Sequence, residues 1–338
     1  ILLFMLKKKF HSLIFIFSLI FLAFIFALSM WLGAEKVSFA AVFGNGDKFE
    51  NIILWNLRLP RSLLVLLTGL LLGGSGAVFQ LFFRNPLAEP GIMGISSGAT
   101  LGAVIASTVL SFGTATLSSK FFTLISPVNF CAFLGSLGAG VLVTFLAFSS
   151  AGKNSSVMLL LCGTALGTLY SAVSSVVLLT CDKELHSIYT WILGSFNGRG
   201  WNEFFFILIP SLISFVIMFF IARPLDLLSC GETSAESLGV EVNKLRISVL
   251  ICGALAVSAS VCAGGTIGFV GLIAPHIVRK ISGPKGKTLI PLSMIFGGIL
   301  LLLSDTIART VIAPSELPAG VITSILGVPF FISLCLKK

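Results

Sequence analysis

Few residues in this chain can do chemistry, and most of those that can stand in four short polar segments. Arg58-Leu59-Pro60-Arg61 sets two guanidinium groups around a proline. That pair can receive the carboxylates of an acidic external partner, or snorkel to lipid headgroups. In Arg84-Asn85-Pro86-Leu87-Ala88-Glu89-Pro90 two prolines stop a helix and hold a rigid corner. The low-bulk run Gly91-Ile92-Met93-Gly94-Ile95-Ser96-Ser97-Gly98 follows, so the whole reads as a close-packed elbow able to gate. The longest internal polar stretch is Arg223–Arg246. Within it Thr233-Ser234-Ala235-Glu236 has the Ser/Thr-x-x-Glu pattern of a capping box, with Gly239 as a natural stop. This predicts an amphipathic helix of about one to two turns, more a contact surface than a plain solvated loop. Asp305 and Arg309 form an i,i+4 pair in the favourable order, and Arg309 is expected to face outward with Arg58 and Arg61.

No catalytic set accompanies these segments. There is no GxxxxGK[ST] phosphate loop and no His, Asp and Ser cluster, and Pro275-His276 reads as a helix end. The seven cysteines contain no CxxC pair and read as small packing residues, so neither a metal site nor a cofactor is expected in this chain.

The elements that must position the polar segments follow from composition. Of 338 residues, 56% are hydrophobic and 10% charged, where a soluble domain carries about 25% charged residues. Mean hydropathy is +1.08. So little charge cannot cover a soluble globule. A soluble enzyme, a nucleic-acid-binding domain and a disordered chain are excluded together, and the net charge of +9 is scattered rather than patched. An all-α, multi-pass membrane protein remains.

A helical span needs about 20 apolar residues. Uncharged runs lie at 10–34, 62–83, 90–119, 121–152, 154–181, 204–222, 247–275, 288–304 and 310–336, the last broken only by Glu316. The seventh holds Gly264-Gly265 at its middle and can be one tilted helix or two short ones. Lys7-Lys8-Lys9 and Lys337-Lys338 are positive-inside signals that place both termini in the cytoplasm, which requires an even count. Splitting the seventh run gives about ten spans, with fourteen of the 22 Lys and Arg inside and eight outside. The first run, 25 residues long, reads as a retained span rather than a signal peptide, and Met5 is a candidate start in a chain that opens at Ile1. Glycines at four-residue spacing, Gly69/Gly73, Gly94/Gly98/Gly102 and Gly163/Gly167, suit close helix crossings.

In order along the chain, these segments resemble the FecCD/BtuC family of ABC importer permeases for iron-siderophores, haem and vitamin B12. The likeness rests on Arg58-Leu59-Pro60-Arg61, Ser75-Gly76-Ala77 with Gln80, Asn85-Pro86-Leu87-Ala88-Glu89-Pro90 and Gly94-Ile95-Ser96-Ser97-Gly98-Ala99. It continues through Ala235 with Leu238-Gly239-Val240, and Gly268-Phe269-Val270-Gly271-Leu272-Ile273-Ala274-Pro275-His276-Ile277-Val278-Arg279. Asp305, Ala308-Arg309, Glu316-Leu317-Pro318-Ala319-Gly320 and Gly327-Val328-Pro329 complete it, so it runs from about residue 55 to the end. One departure stands out: where family members often carry Asp-His-Arg before the ninth span, this chain has Pro284-Lys285-Gly286-Lys287.

The resemblance implies one permease domain over residues 1–338, of the type II ABC importer fold, working as a homodimer in the bacterial cytoplasmic (inner or plasma) membrane. It implies that Arg58, Arg61 and Arg309 dock an extracytoplasmic substrate-binding protein. The 223–246 loop, with Glu232, Thr233, Ser234, Ala235, Glu236, Leu238 and Gly239, would be the coupling loop seated in two ATP-binding cassette subunits, which carry the ATP and Mg. Asn85, Leu87, Ser155 and Ser156 match positions that close the cytoplasmic end of the pathway. The cargo would be an iron chelate, siderophore or haem, with cobalamin as the alternative. An ion-coupled secondary transporter is the rival from another class, but it usually needs intramembrane acids. A purely structural membrane scaffold is the third reading.

Overall fold

The computed structural model describes residues 2–33, 35, 37–38, 41, 46–111, 126–149, 156–179 and 185–336. The described residues are helical and contain no strand. Among the described residues, seven helices are long and apolar enough to cross a membrane, and further apolar helices are shorter. The elements are α1 (Leu2–Trp31), α2 (Lys48–Ile52), α3 (Leu59–Phe82), α4 (Ile95–Ser111), α5 (Pro127–Ser149), α6 (Ser156–Leu179) and α7 (Leu185–Ile192). Then come α8 (Trp201–Leu228), α9 (Glu232–Ser237), α10 (Val242–Gly264), α11 (Val270–Ser282), α12 (Gly286–Ala308) and α13 (Ala319–Leu336). The long apolar run ahead of Gly265 does break, and α11 starts only after Phe269.

Helices α3, α10 and α12 are mostly buried, whereas α1, α6 and α8 turn most of their surface outward. In lipid the drive to associate is packing rather than exclusion of water, so small residues decide where backbones meet. Gly69 and Gly73 of α3 lie against Gly297 of α12, and a Cβ on Gly69 would stand 2.5 Å from the Gly297 carbonyl. The Gly94/Gly98/Gly102 run of the sequence likewise meets Gly135 on α5 and Gly167 on α6. These contacts stack α4, α5 and α6 on one side of the α3–α12 pair, with α10 between.

The bundle has two polar ends. At one, here the arginine end, lie the start of α3, the C-termini of α1 and α12 and the segment before α13. At the other, the loop end, lie the C-terminus of α8, all of α9 and the starts of α10 and α12.

Candidate functional site

At the arginine end, α2, a π turn (Ile53–Arg58) and α3 form one continuous helical run, and Pro60 lies just after the π turn, where its missing N–H removes one backbone bond. The three sequence-predicted arginines meet there, but their head groups turn inward. Arg58, only 6% exposed, donates to the carbonyls of Met30 (3.0 Å) and Trp31 (2.6 Å) and also to that of Glu35. It thereby caps α1, whose last carbonyls have no intrahelical partner. Arg309, 3% exposed, donates to the carbonyl and hydroxyl of Ser29 and lies 3.7 Å from Asp305. Arg61 bridges Asp305 at 2.9 Å and Glu316 at 2.8 Å. The Ser29 and Ser62 hydroxyls, 2.9 Å apart, join the two halves.

The expectation that Arg58 and Arg309 face outward is therefore corrected. A buried guanidinium must be paired, and the chain supplies the partners itself from the α1 terminus, Asp305 and Glu316. In the sequence Glu316 breaks the last apolar run and opens a motif of the family pattern, but its pairing with Arg61 across 255 positions was invisible there.

Two cavities of about 560 and 410 Å³ open at this end and share Asn197, Gly198, Arg199 and Glu316. Arg199 is the functional candidate that sequence reasoning missed; its signal was a lone charge between Gly198 and Gly200. Its nearest carboxylate, Glu203, is 3.8 Å away and its Nε has no hydrogen-bond partner. Burial pulls its pKa below the usual arginine value, while Glu203 acts in the opposite sense.

Between the two ends, the proline elbow does more than turn. Asn85 Oδ1 accepts the Leu87 N–H at 2.9 Å, and the Ala88 N–H reaches the Asn85 carbonyl. The chain then folds back along α3, so Glu89 lines a small cavity with Leu72, Val257 and Gly271 rather than sitting at the bundle's end. Its carboxylate lies against Gly271, near the start of α11. Phe269 is the N-cap of α11 and holds φ +68°, a conformation disfavoured for a bulky residue. Nearby, Gln80 donates to the carbonyls of Gly271 and Leu272 and accepts from Arg279 at 3.1 Å. A cavity of about 580 Å³ adjoins this junction, lined by Glu89, Ser96, Thr266, Gly320 and Ser324. Leu87 and Asn85 are thus placed at the elbow, while Ser155 lies outside the described residues and Ser156 opens α6.

At the loop end the expected short helix is present as α9, although its start differs from the capping-box pattern. Gly231, at φ +111°, is the N-cap, and Thr233 falls inside the first turn with no side-chain cap. Chain reversal out of α8 needs a left-handed residue, so glycine takes the cap from threonine. Gly239 stops the helix at φ +86°, with Val240 N–H bonded to the Ala235 carbonyl at 3.0 Å. Ala235 alone is buried; Glu232, Thr233, Ser234, Glu236 and Leu238 are exposed. Arg246 reaches Glu232 at 3.6 Å and ties α9 to α10. Where the sequence departs from the family pattern, Gly286 gives its N–H to Asp226 of α8 at 2.6 Å.

Comparison with known proteins places this architecture. The iron(3+)-hydroxamate import system permease protein of Bacillus subtilis (strain 168) is 36% identical over 318 residues, 93% of each chain. The cobalamin import system permease protein of Halobacterium salinarum is 37% identical over 302 residues, 89% of this chain and 78% of that one. A solved structure described as an inward-facing conformation of a putative metal-chelate type ABC transporter superposes with a TM-score of 0.84 at 31% identity, over 97% of this chain and 100% of that one. The profile of the FecCD transport family matches residues 16–337, and the chain belongs to that family.

Proposed function

We propose that this chain is the membrane permease subunit of an ABC importer and carries an iron chelate, a siderophore or haem, inward across the bacterial cytoplasmic membrane. The observation that carries the reading is α9: a lone exposed helix, fixed by one buried alanine and one ion pair, between two membrane helices. Such a lever suits a partner that supplies force, because the chain has no phosphate loop of its own. Two copies of the permease, with about ten spans each and both termini cytoplasmic, would enclose the pathway. Two ATP-binding cassette subunits would hold the ATP and Mg and seat on Glu232–Gly239. ATP binding shifts the permease between inward- and outward-facing states by binding one state better than the other.

At the arginine end the proposed partner is a substrate-binding protein. Arg58 and Arg309 build the platform, and Arg61 is the contact that a partner carboxylate reaches, by exchange with Glu316, which is 22% exposed in its side chain. Cobalamin remains the alternative cargo, because the cobalamin and hydroxamate permeases are equally similar to this chain. The experiment is co-expression with the partner ATPase. The permease is expected to co-purify with it and to raise its hydrolysis rate; a permease that elutes alone and transports without ATP sinks the reading.

A further inference from the structure

A cavity of about 680 Å³ opens between α8 and α12, remote from the arginine cluster and from the Glu89 junction. It faces the outside of the bundle, because Phe219 and Phe220 beside it are 78% and 72% exposed. Its floor is thin. Gly74 of α3 has no side chain, and Met218 of α8 and Met294 of α12 fill the space above it. Methionine is the side chain that most readily repacks around a variable apolar guest. Phe215 and Ile290 complete an apolar wall.

The mouth is different. Arg223 and Lys287 line it at the loop end, both exposed, and among the described residues neither makes an ion pair. The nearest acid along α8, Asp226, is spent on the Gly286 N–H and holds the two helices together just below the groove. Pro224 and Pro291 lie in the lining, and a proline inside a helix removes the N–H that would bond the carbonyl four residues earlier. The carbonyls of Phe220 and Lys287 are thereby left as acceptors beside the two cations.

We propose that this groove is a binding site for an anionic phospholipid. One acyl chain lies between α8 and α12 over Met218 and Met294, and the phosphate sits between Arg223 and Lys287. The freed carbonyls accept from headgroup hydroxyls. A basic pair at the headgroup level above an apolar slot is the arrangement that selects an anionic over a zwitterionic lipid. The inference rests on the membrane-spanning architecture and not on the import reading, so either can fail alone.

The test is native mass spectrometry of the full chain in detergent, titrated with phosphatidylglycerol or with phosphatidylcholine of the same acyl chains. The wild type is expected to retain phosphatidylglycerol about 10- to 30-fold more tightly, as two basic contacts allow. The double variant Arg223→Gln with Lys287→Gln should lose that preference, and Arg223→Lys with Lys287→Arg should keep it. Equal retention of the two lipids, or an unchanged preference in the glutamine variant, overturns the proposal. Disulfide cross-linking of Phe219→Cys between two copies would do the same, since a second chain would then cover the groove.

Discussion

Single residues in this protein show how charge is tolerated where water is scarce. Arg58, Arg61 and Arg309 are bound to the chain's own carbonyls and carboxylates, yet they differ in what a partner could reach. Arg61 pairs with the partly exposed Glu316, whereas Arg58 serves three carbonyls at the end of α1. The two roles separate on substitution. Arg61→Glu is expected to weaken docking of the binding protein several-fold and also to lower the melting temperature, because it sets a third carboxylate beside the buried Asp305 and the partly exposed Glu316. Arg58→Leu strands buried acceptors, and its expected cost is about 2–4 kcal/mol of stability, read as a lowered melting temperature. Equal effects of both on docking, with neither on melting, would contradict this division. The positions of these arginines were legible in the sequence because a charge beside an apolar run is conspicuous. Their orientation was not, since Asp305, Glu316 and Ser29 come from distant segments and nothing local announces their approach.

At the scale of elements, the signals that carried furthest were local. Gly264-Gly265 marked the break between α10 and α11, and Gly239 marked the end of α9. Glycines at four-residue spacing marked helix crossings that the structure contains, because a backbone contact leaves no choice of residue. The elbow was only half legible. Its prolines announced a turn, but the return of Glu89 along α3 sets it beside Gly271, on a helix from a distant part of the chain. The same logic locates the mechanical weak point in α9. Gly239 sits at φ +86° with open space around it, so a side chain there meets no atom and acts only through backbone strain. Gly239→Val is expected to cost about 1–2 kcal/mol locally and to distort the helix end. Assembly with the ATPase should survive, while the ratio of chelate transported to ATP hydrolysed should fall. A variant with wild-type coupling would show that α9 does not carry the force.

Across the whole molecule, the scarcity of charge organises function as well as fold. The long apolar helices make a scaffold in which most polar groups are committed to holding one helix against another. What is left accessible is sparse and falls at the ends: Arg61 with Glu316 and Arg199 at one, α9 with Arg223 and Lys287 at the other. That distribution suits a passage driven and fed by other proteins. Its most direct test is uptake into proteoliposomes of a ferric hydroxamate, compared with cobalamin, by the chain alone and with its ATPase subunits and binding protein. Uptake of the ferric chelate is expected only when ATP, the ATPase and the binding protein are all present. Uptake by the chain alone, driven by a proton or sodium gradient, would contradict it.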